Sequence, residues 1–241
     1  MTAARMKRFY KTVSVDRQGS GFALLLDGRG VKTPARQPLV LPSAALARAV
    51  AAEWQAQGDE INIASMAMTG FANAAIDRIA PEPALFVREI ASFGETDTLC
   101  YRADCGDPLA VRQGELWDPM LEWAENLYDI TLIRIAGVIH QPQPPQSLSR
   151  LEAAVAPLNP FVLAPMITLT TIGGSLVAAL GLLEGAFDLA TVWRAISLEE
   201  LWQEELWGVE AEAVKARLHR KLAFDEAYKF CCIAKGIDLE R

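Results

Sequence analysis

The chain has 241 residues, enough to bury a core in one large or two small domains, and its 51% hydrophobic and 22% charged content excludes a disordered polymer. Its 30 acidic against 23 basic residues leave a net charge of −7, which argues against nucleic acid or an anionic membrane as the main partner and favours a basic or neutral protein surface. The four cysteines, Cys100, Cys105, Cys231 and Cys232, form no C-x-x-C pair. With only His140 and His219 to assist them, they read as reduced thiols in a reducing compartment.

The N-terminal stretch MTAARMKRFY carries Arg5, Lys7 and Arg8 but no apolar run, so it does not read as a secretory signal and is short for a transit peptide. Residues 9–15, 22–26, 31–33 and 39–41 alternate as strands do, separated by RQGSG, DGRG and a loop over 34–38. Asp27-Gly28 is a hairpin signal, and the chain is expected to open as a small antiparallel meander. Ser43 can cap a helix through ALARAVAAEWQAQ, closed by a left-handed Gly58, with 61–63 as one more short strand. From about Met66 the punctuation becomes helical. The predicted class is α+β: a small N-terminal β-rich domain over 1–65 and an all-α domain over 66–241.

Asp107-Pro108 and Asp118-Pro119 each offer an N-cap followed by proline, so WDPMLEWAENLYD either starts a helix or kinks one. Residues 130–139 are β-branched enough to be a strand, or else a poor helix. HQPQPPQ (140–146) is a stiff non-helical connector. Between Glu152 and Glu184 there is no charge, and 161–183 is long enough on paper to span a bilayer. Pro165, Gly173, Gly174 and several hydroxyls, with no basic cluster at either end, favour a buried helix of a bundle, whole or broken near Gly173. Asp188 and Ser197 open further helices, Ser197 forming a capping box with Glu200, and a last helix runs over 209–235 to Gly236.

No G-x-x-x-x-G-K-[ST] loop and no G-x-S-x-G elbow is present, so nucleotide hydrolysis and serine hydrolase chemistry have no footing. His140, beside prolines, reads as a loop residue and His219 as a solvated helix residue, and the sequence marks neither as a catalytic base. The segment LEELWQEELWG is different. Around it, between Arg194 and Lys215, Glu199, Glu200, Glu204, Glu205, Glu210 and Glu212 appear without a Lys or Arg, and like charges at i,i+4 such as Glu200 and Glu204 do not favour a helix. A helical wheel puts Leu198, Leu201, Trp202, Leu206 and Val209 on one face with Glu205 inside it, and Trp207 opposite with Glu200, Gln203 and Glu204. The acidic face is either merely solvated or a contact surface, and an outward Trp207 favours contact. On that wheel Trp202 is core, so its truncation should cost about 3–5 kcal/mol, while reversing Glu200 and Glu204 should leave folding intact.

Read in order, LDGRGVKTP (26–34), LVLP (39–42), AEWQAQ (52–57), TDTLCYRAD (96–104), WDPMLEW (117–123) and LWQEELWG (201–208) resemble the signature blocks of the assembly chaperones dedicated to the α subunit of the F-type ATP synthase catalytic head. The resemblance implies a small α/β domain, a larger helical domain and no catalysis or cofactor. It implies that the protein holds newly made α subunit, without ATP, over the surface that later meets β, until β takes its place. Glu199, Glu200, Glu204 and Glu205 fall in the family's functional glutamate region. With Gln203 and Trp207 they form the expected contact set. Trp54 is also characteristic of the family, though a tryptophan on the helix after Ser43 suits packing. The expected protein is a monomer when free, without stable membrane insertion, cytoplasmic in bacteria and in the mitochondrial matrix in eukaryotes. Two other readings stand beside it: an enzyme using Asp97 or Glu205 as a general acid, and an assembly factor anchored in a membrane by 161–183.

Overall fold

The structure, a computed structural model, describes residues 6–137 and 139–237. Arg5 and Val138, which belong to two of the segments read above, lie outside the described residues. The chain divides into two compact units, Met1–Pro83 with Asn159–Pro165 and Lys229–Arg241, and Ala84–Leu158 with Met166–Tyr228. Antiparallel strands near the N-terminus followed by helices give the α+β class.

In the first unit, β2 (Val13–Gln18), β3 (Gly21–Leu26) and β4 (Arg29–Gly30) pair in order, and β5 (Val40–Leu41) pairs with β3; β1 (Met6–Lys7) pairs with β6 (Glu60–Ile61). The register runs from Val13↔Leu26 to Gln18↔Gly21. The Asp27-Gly28 turn forms with φ of 48° and 75°, the left-handed pair that a two-residue hairpin needs. Asp27 also accepts the amides of Lys11 and Thr12 at 3.0 and 2.8 Å, and these bonds, Thr12's first, hold its carboxyl below the usual range.

Helix α1 (Ala44–Gln55) starts where expected, with Ser43 Oγ accepting the Leu46 amide at 3.2 Å. Its end differs, because Gly58 does not take the left-handed conformation. The side chain of Gln57 does the capping, donating to the Glu53 carbonyl at 3.0 Å and accepting the Asn62 amide at 2.7 Å. Glu53 in turn caps α2 (Ala67–Ala74), accepting the amides of Met68 and Thr69 at 2.7 and 2.8 Å. Leu24, Leu41, Leu46, Val50 and Phe230 make the core here, with Trp54 packed against it and its ring 5.7 Å from that of Tyr10. Trp54 thus serves packing.

The second unit contains α3 (Pro83–Ala91), β7 (Tyr101–Arg102), α4 (Pro108–Tyr128), β8 (Ile135–Ala136), α5 (Pro145–Val155), part of α6 (Pro160–Gly173), α7 (Leu176–Leu183), α8 (Leu189–Ile196), α9 (Leu198–Trp207) and part of α10 (Ala211–Lys235). Asp107 caps α4 with Pro108 at its first position, whereas Pro119 lies inside that helix and starts none. The described residues of the 130–139 segment lie mostly outside regular structure, with side chains bonding part of their backbone. Gln143 both accepts from the Ile133 amide and donates to its carbonyl, at 2.8 and 3.0 Å, and Ser147 does the same for Thr131. Among the described residues of this segment, only β8 pairs with a strand, parallel to β7. The proline-rich connector is shorter than its composition suggested, since Pro145 opens α5.

The uncharged stretch is two helices. Gly174 breaks it at φ 61°, where a Cβ would come within 2.3 Å of Thr98 Oγ1, and Ser175 caps α7 by accepting the Ala178 amide. Among the described residues no helix is long and apolar enough to cross a membrane. Asp97, fully buried, ties the break together: its two oxygens accept the Leu99 amide at 3.0 Å and the Val177 amide at 2.9 Å. Burial pushes its carboxyl up to about 6, against the lowering effect of these donors and the Ser175 hydroxyl.

The folded chain therefore holds this proton more tightly than the unfolded chain does. The stability Asp97 contributes is fully present below the ordinary carboxylate range and is lost as pH rises toward about 6. Urea unfolding of the wild type and of Asp97→Asn, which cannot titrate, should show the wild type's advantage larger by about 1–3 kcal/mol at pH 4.5 than at pH 7.5. A gap that does not change with pH would show that the carboxylate is ionised in the fold throughout.

Candidate functional site

The entry to α9 is fixed before its acidic face begins. Asp188 caps α8 by accepting the Thr191 amide at 2.8 Å, and buried Trp117 of α4 donates its indole N–H to the Ala195 carbonyl at 2.8 Å. Ser197 closes α8 and precedes α9 with φ −98° and ψ 1°, not the extended backbone from which a side chain caps. It makes no cap bond, and the expected capping box with Glu200 does not form.

Glu200 is engaged elsewhere. Arg217 of α10 reaches Glu204 through two nitrogens, at 2.7 and 2.9 Å, and Glu200 at 3.3 Å, while Arg220 also bonds Glu200. The Arg217 and Glu204 side chains are only 15% and 14% exposed. Hydrogen bonding to Glu204 is the main cause that holds the Arg217 guanidinium above its usual range. The face read as outward thus meets a basic face of α10, and the like charges at i,i+4 are offset from outside the helix. Glu199 accepts from the buried Gln113 amide at 2.8 Å, and Gln113 in turn accepts the Ala103 amide at 2.8 Å.

Glu205 is exposed, contrary to the wheel, and both its oxygens lie 2.8 Å from Nη1 of Arg112 on α4. The Arg112 guanidinium also lies 4.5 Å from the centre of the Trp202 ring. Trp202 is half-buried, so its truncation belongs below the cost of a fully enclosed tryptophan. Leu198 is buried, but Leu206 and Val209 are not. The helix ends at Trp207 and the chain turns at Gly208 with φ 92°, so the last apolar positions project from a helix end and cover nothing. Leu206, Trp207 and Val209 are 55%, 78% and 71% exposed. Gln203 is exposed as well.

The six predicted contact residues therefore share one helix, but four of them already hold partners within the unit. Arg112, Arg217 and Arg220 went unread as part of the site. The signal for the last two was present: KARLHRK puts Arg217 and Arg220 three residues apart on one helix side, with the acidic residues they meet 13 to 20 positions upstream. Of the two carboxylates considered as general acids, Asp97 is enclosed by backbone donors and Glu205 is an exposed ion-pair partner. Among the described residues no group of three or more His, Cys, Asp or Glu is placed to hold a metal ion. Cys100, Cys231 and Cys232 are buried and Cys105 is exposed, none of them in a disulfide.

The profile of the family described as ATP12 chaperone protein matches residues 7–125. The mitochondrial protein atp12 of Schizosaccharomyces pombe is 24% identical over 214 residues, 84% of this chain and 74% of that one. The crystal structure of Atp12 from Paracoccus denitrificans superposes with a TM-score of 0.90 at 37% identity, covering 95% of this chain and 98% of that one. A candidate chaperone from Agrobacterium tumefaciens gives 0.88 at 37% identity, covering 95% and 85%.

The clamp changes what charge reversal on α9 should do. Glu204→Lys, and more so Glu204→Lys with Glu200→Lys, places like charge against Arg217 and should cost about 1–3 kcal/mol of stability, between the values for exposed and buried pairs. Glu204→Gln should cost less. Urea midpoints for the three variants check this; unchanged midpoints would mean the clamp adds nothing to folding.

Proposed function

The chain belongs to the ATP12 chaperone family, and we propose that it binds the free α subunit of the F-type ATP synthase catalytic head, without ATP, and keeps it from aggregating until β replaces it. The contact set is Glu199, Glu200, Gln203, Glu204, Glu205 and Trp207. The observation that carries the reading is the projecting end of α9: Leu206, Trp207 and Val209 stand in solvent beside a row of carboxylates. Family membership and the ordered sequence blocks support the choice of partner.

An unassembled α subunit exposes an apolar, partly basic surface that is prone to wrong association. A tryptophan supplies apolar area and an anchor, and carboxylates supply steering toward Arg and Lys. Release needs no hydrolysis, only a β subunit that competes for an overlapping surface and binds more tightly in the finished assembly. The chaperone works as a monomer in the compartment where α is folding, the cytoplasm of a bacterium or the mitochondrial matrix.

Titrating isolated α subunit calorimetrically at low and high salt, with and without ATP, tests this. The wild type should bind more weakly as salt rises, show no dependence on ATP, and release α when β is added. Trp207→Ala should leave the circular dichroism unchanged and weaken binding by about 2 kcal/mol, some thirtyfold. Failure of the wild type to bind α at low salt would sink the proposal.

A further inference from the structure

Between α4 and α8–α9 lies an open groove of about 440 Å³, floored by Leu116, Leu198, Leu201 and Trp202. At its rim a guanidinium already meets both features by which proteins recognise arginine, an aromatic plane and a carboxylate. The guanidinium is the chain's own: Arg112 lies over Trp202 and against Glu205. We propose that this groove is a seat for one arginine side chain of the partner, and that Arg112 occupies it as an internal stand-in until the partner's arginine displaces it. The proposal rests on the reading of α9 as a partner surface and names the residue that surface selects.

Three features make Arg112 the exchangeable member. Its grip is poor, because one nitrogen serves both oxygens of Glu205, whereas two parallel N–H groups would match that carboxylate better. Arg217 holds Glu204 with two nitrogens. The pair is also wet, with 43% of the Arg112 side chain and 53% of the Glu205 side chain exposed, against 15% and 14% for Arg217 and Glu204. Water and salt screen such a pair, so it is readily exchanged. Finally, a displaced Arg112 has a place to go, since Glu115 lies one helical turn further along α4 and also lines the groove. Exchange leaves no charge stranded. Glu205 is thereby the carboxylate of the contact set that meets the partner's arginine, while Glu204 and Glu200 also hold the helix. Lysine is a poor substitute in this seat, because an ammonium has neither the planar face nor the fork.

Removing the stand-in should improve binding, the reverse of what loss of a structural residue does. Arg112→Ala should tighten α binding about two- to fivefold, Arg112→Lys should fall between it and the wild type, and Glu205→Gln should weaken binding about tenfold whether Arg112 is present or not. Arg194→Ala is the charge control, since Arg194 lines the same groove. It removes one positive charge without vacating the seat, so equal tightening by both variants would reduce the effect to net charge and overturn the proposal, as would unchanged or weaker binding by folded Arg112→Ala. If Arg112→Ala does not fold, Arg112→Lys carries the same test, and binding no tighter than the wild type's overturns the proposal. A second measurement does not use α at all. The Trp202 indole resonance, assigned with Trp202→Phe, should shift in Arg112→Ala on adding acetyl-Gly-Arg-Gly-amide and not with the lysine peptide. A wild type that fails to bind α while this shift occurs ends the functional reading and leaves the arginine seat standing; absence of the shift ends the seat.

Discussion

Helix α9 carries four carboxylates in ten residues and no cation, so its place in the fold depends on positive charge borrowed from its neighbours. Arg217 supplies most of it, through a two-nitrogen grip on Glu204 and a longer contact to Glu200. Arg220 and Arg112 supply the rest. Without these arginines the acidic face would repel itself at i,i+4 spacing. With them, α9 stands as a fixed platform whose far end, Leu206 to Val209, projects into solvent. The carboxylates differ in their surroundings: Glu200 and Glu204 are partly enclosed against α10, Glu199 is exposed but accepts from the buried Gln113, and Glu205 pairs in solvent with Arg112.

A second constraint lies in the apolar half of the unit. An uncharged stretch of this length could form one long helix, but Gly174 and Ser175 divide it, and Asp97 reaches into the break to accept the Val177 amide. The break lets α7 bury all eight of its residues within the unit. It also fixes the Thr98 to Tyr101 segment, through two bonds from Thr98 to the Gly174 carbonyl, and so locates β7. A buried carboxylate serving as a helix cap accounts for Asp97 without a reaction. Its raised pKa follows from burial, which outweighs the lowering effect of the backbone donors, and needs no substrate.

Much of the fold is legible in the residue order because those signals are local. The Asp27-Gly28 hairpin and the Ser43, Asp107 and Asp188 caps involve atoms a few residues apart. Expectations fail where a distant group intervenes. Gln57 closes α1 in place of Gly58, and Gln143 with Ser147 satisfies backbone that looked like strand. The candidate site divides the same way. Its residues stand out by composition, an acidic run with an outward tryptophan, yet the wheel assigned Glu205 to the inside and left Glu200 and Glu204 to solvent.

The sequence by itself determined the class of the fold, the position of α9, the exposure of Trp207 and the family, since all of these rest on periodicity, caps and ordered blocks. Only the tertiary structure decided which cation each carboxylate meets and how exposed each pair is. A helical wheel has no knowledge of α10 or α4, and an ion pair between residues 13 or 93 positions apart is set by packing, not by spacing. The strength of such a pair then depends on how much water reaches it, a quantity that exists only once the chain has folded.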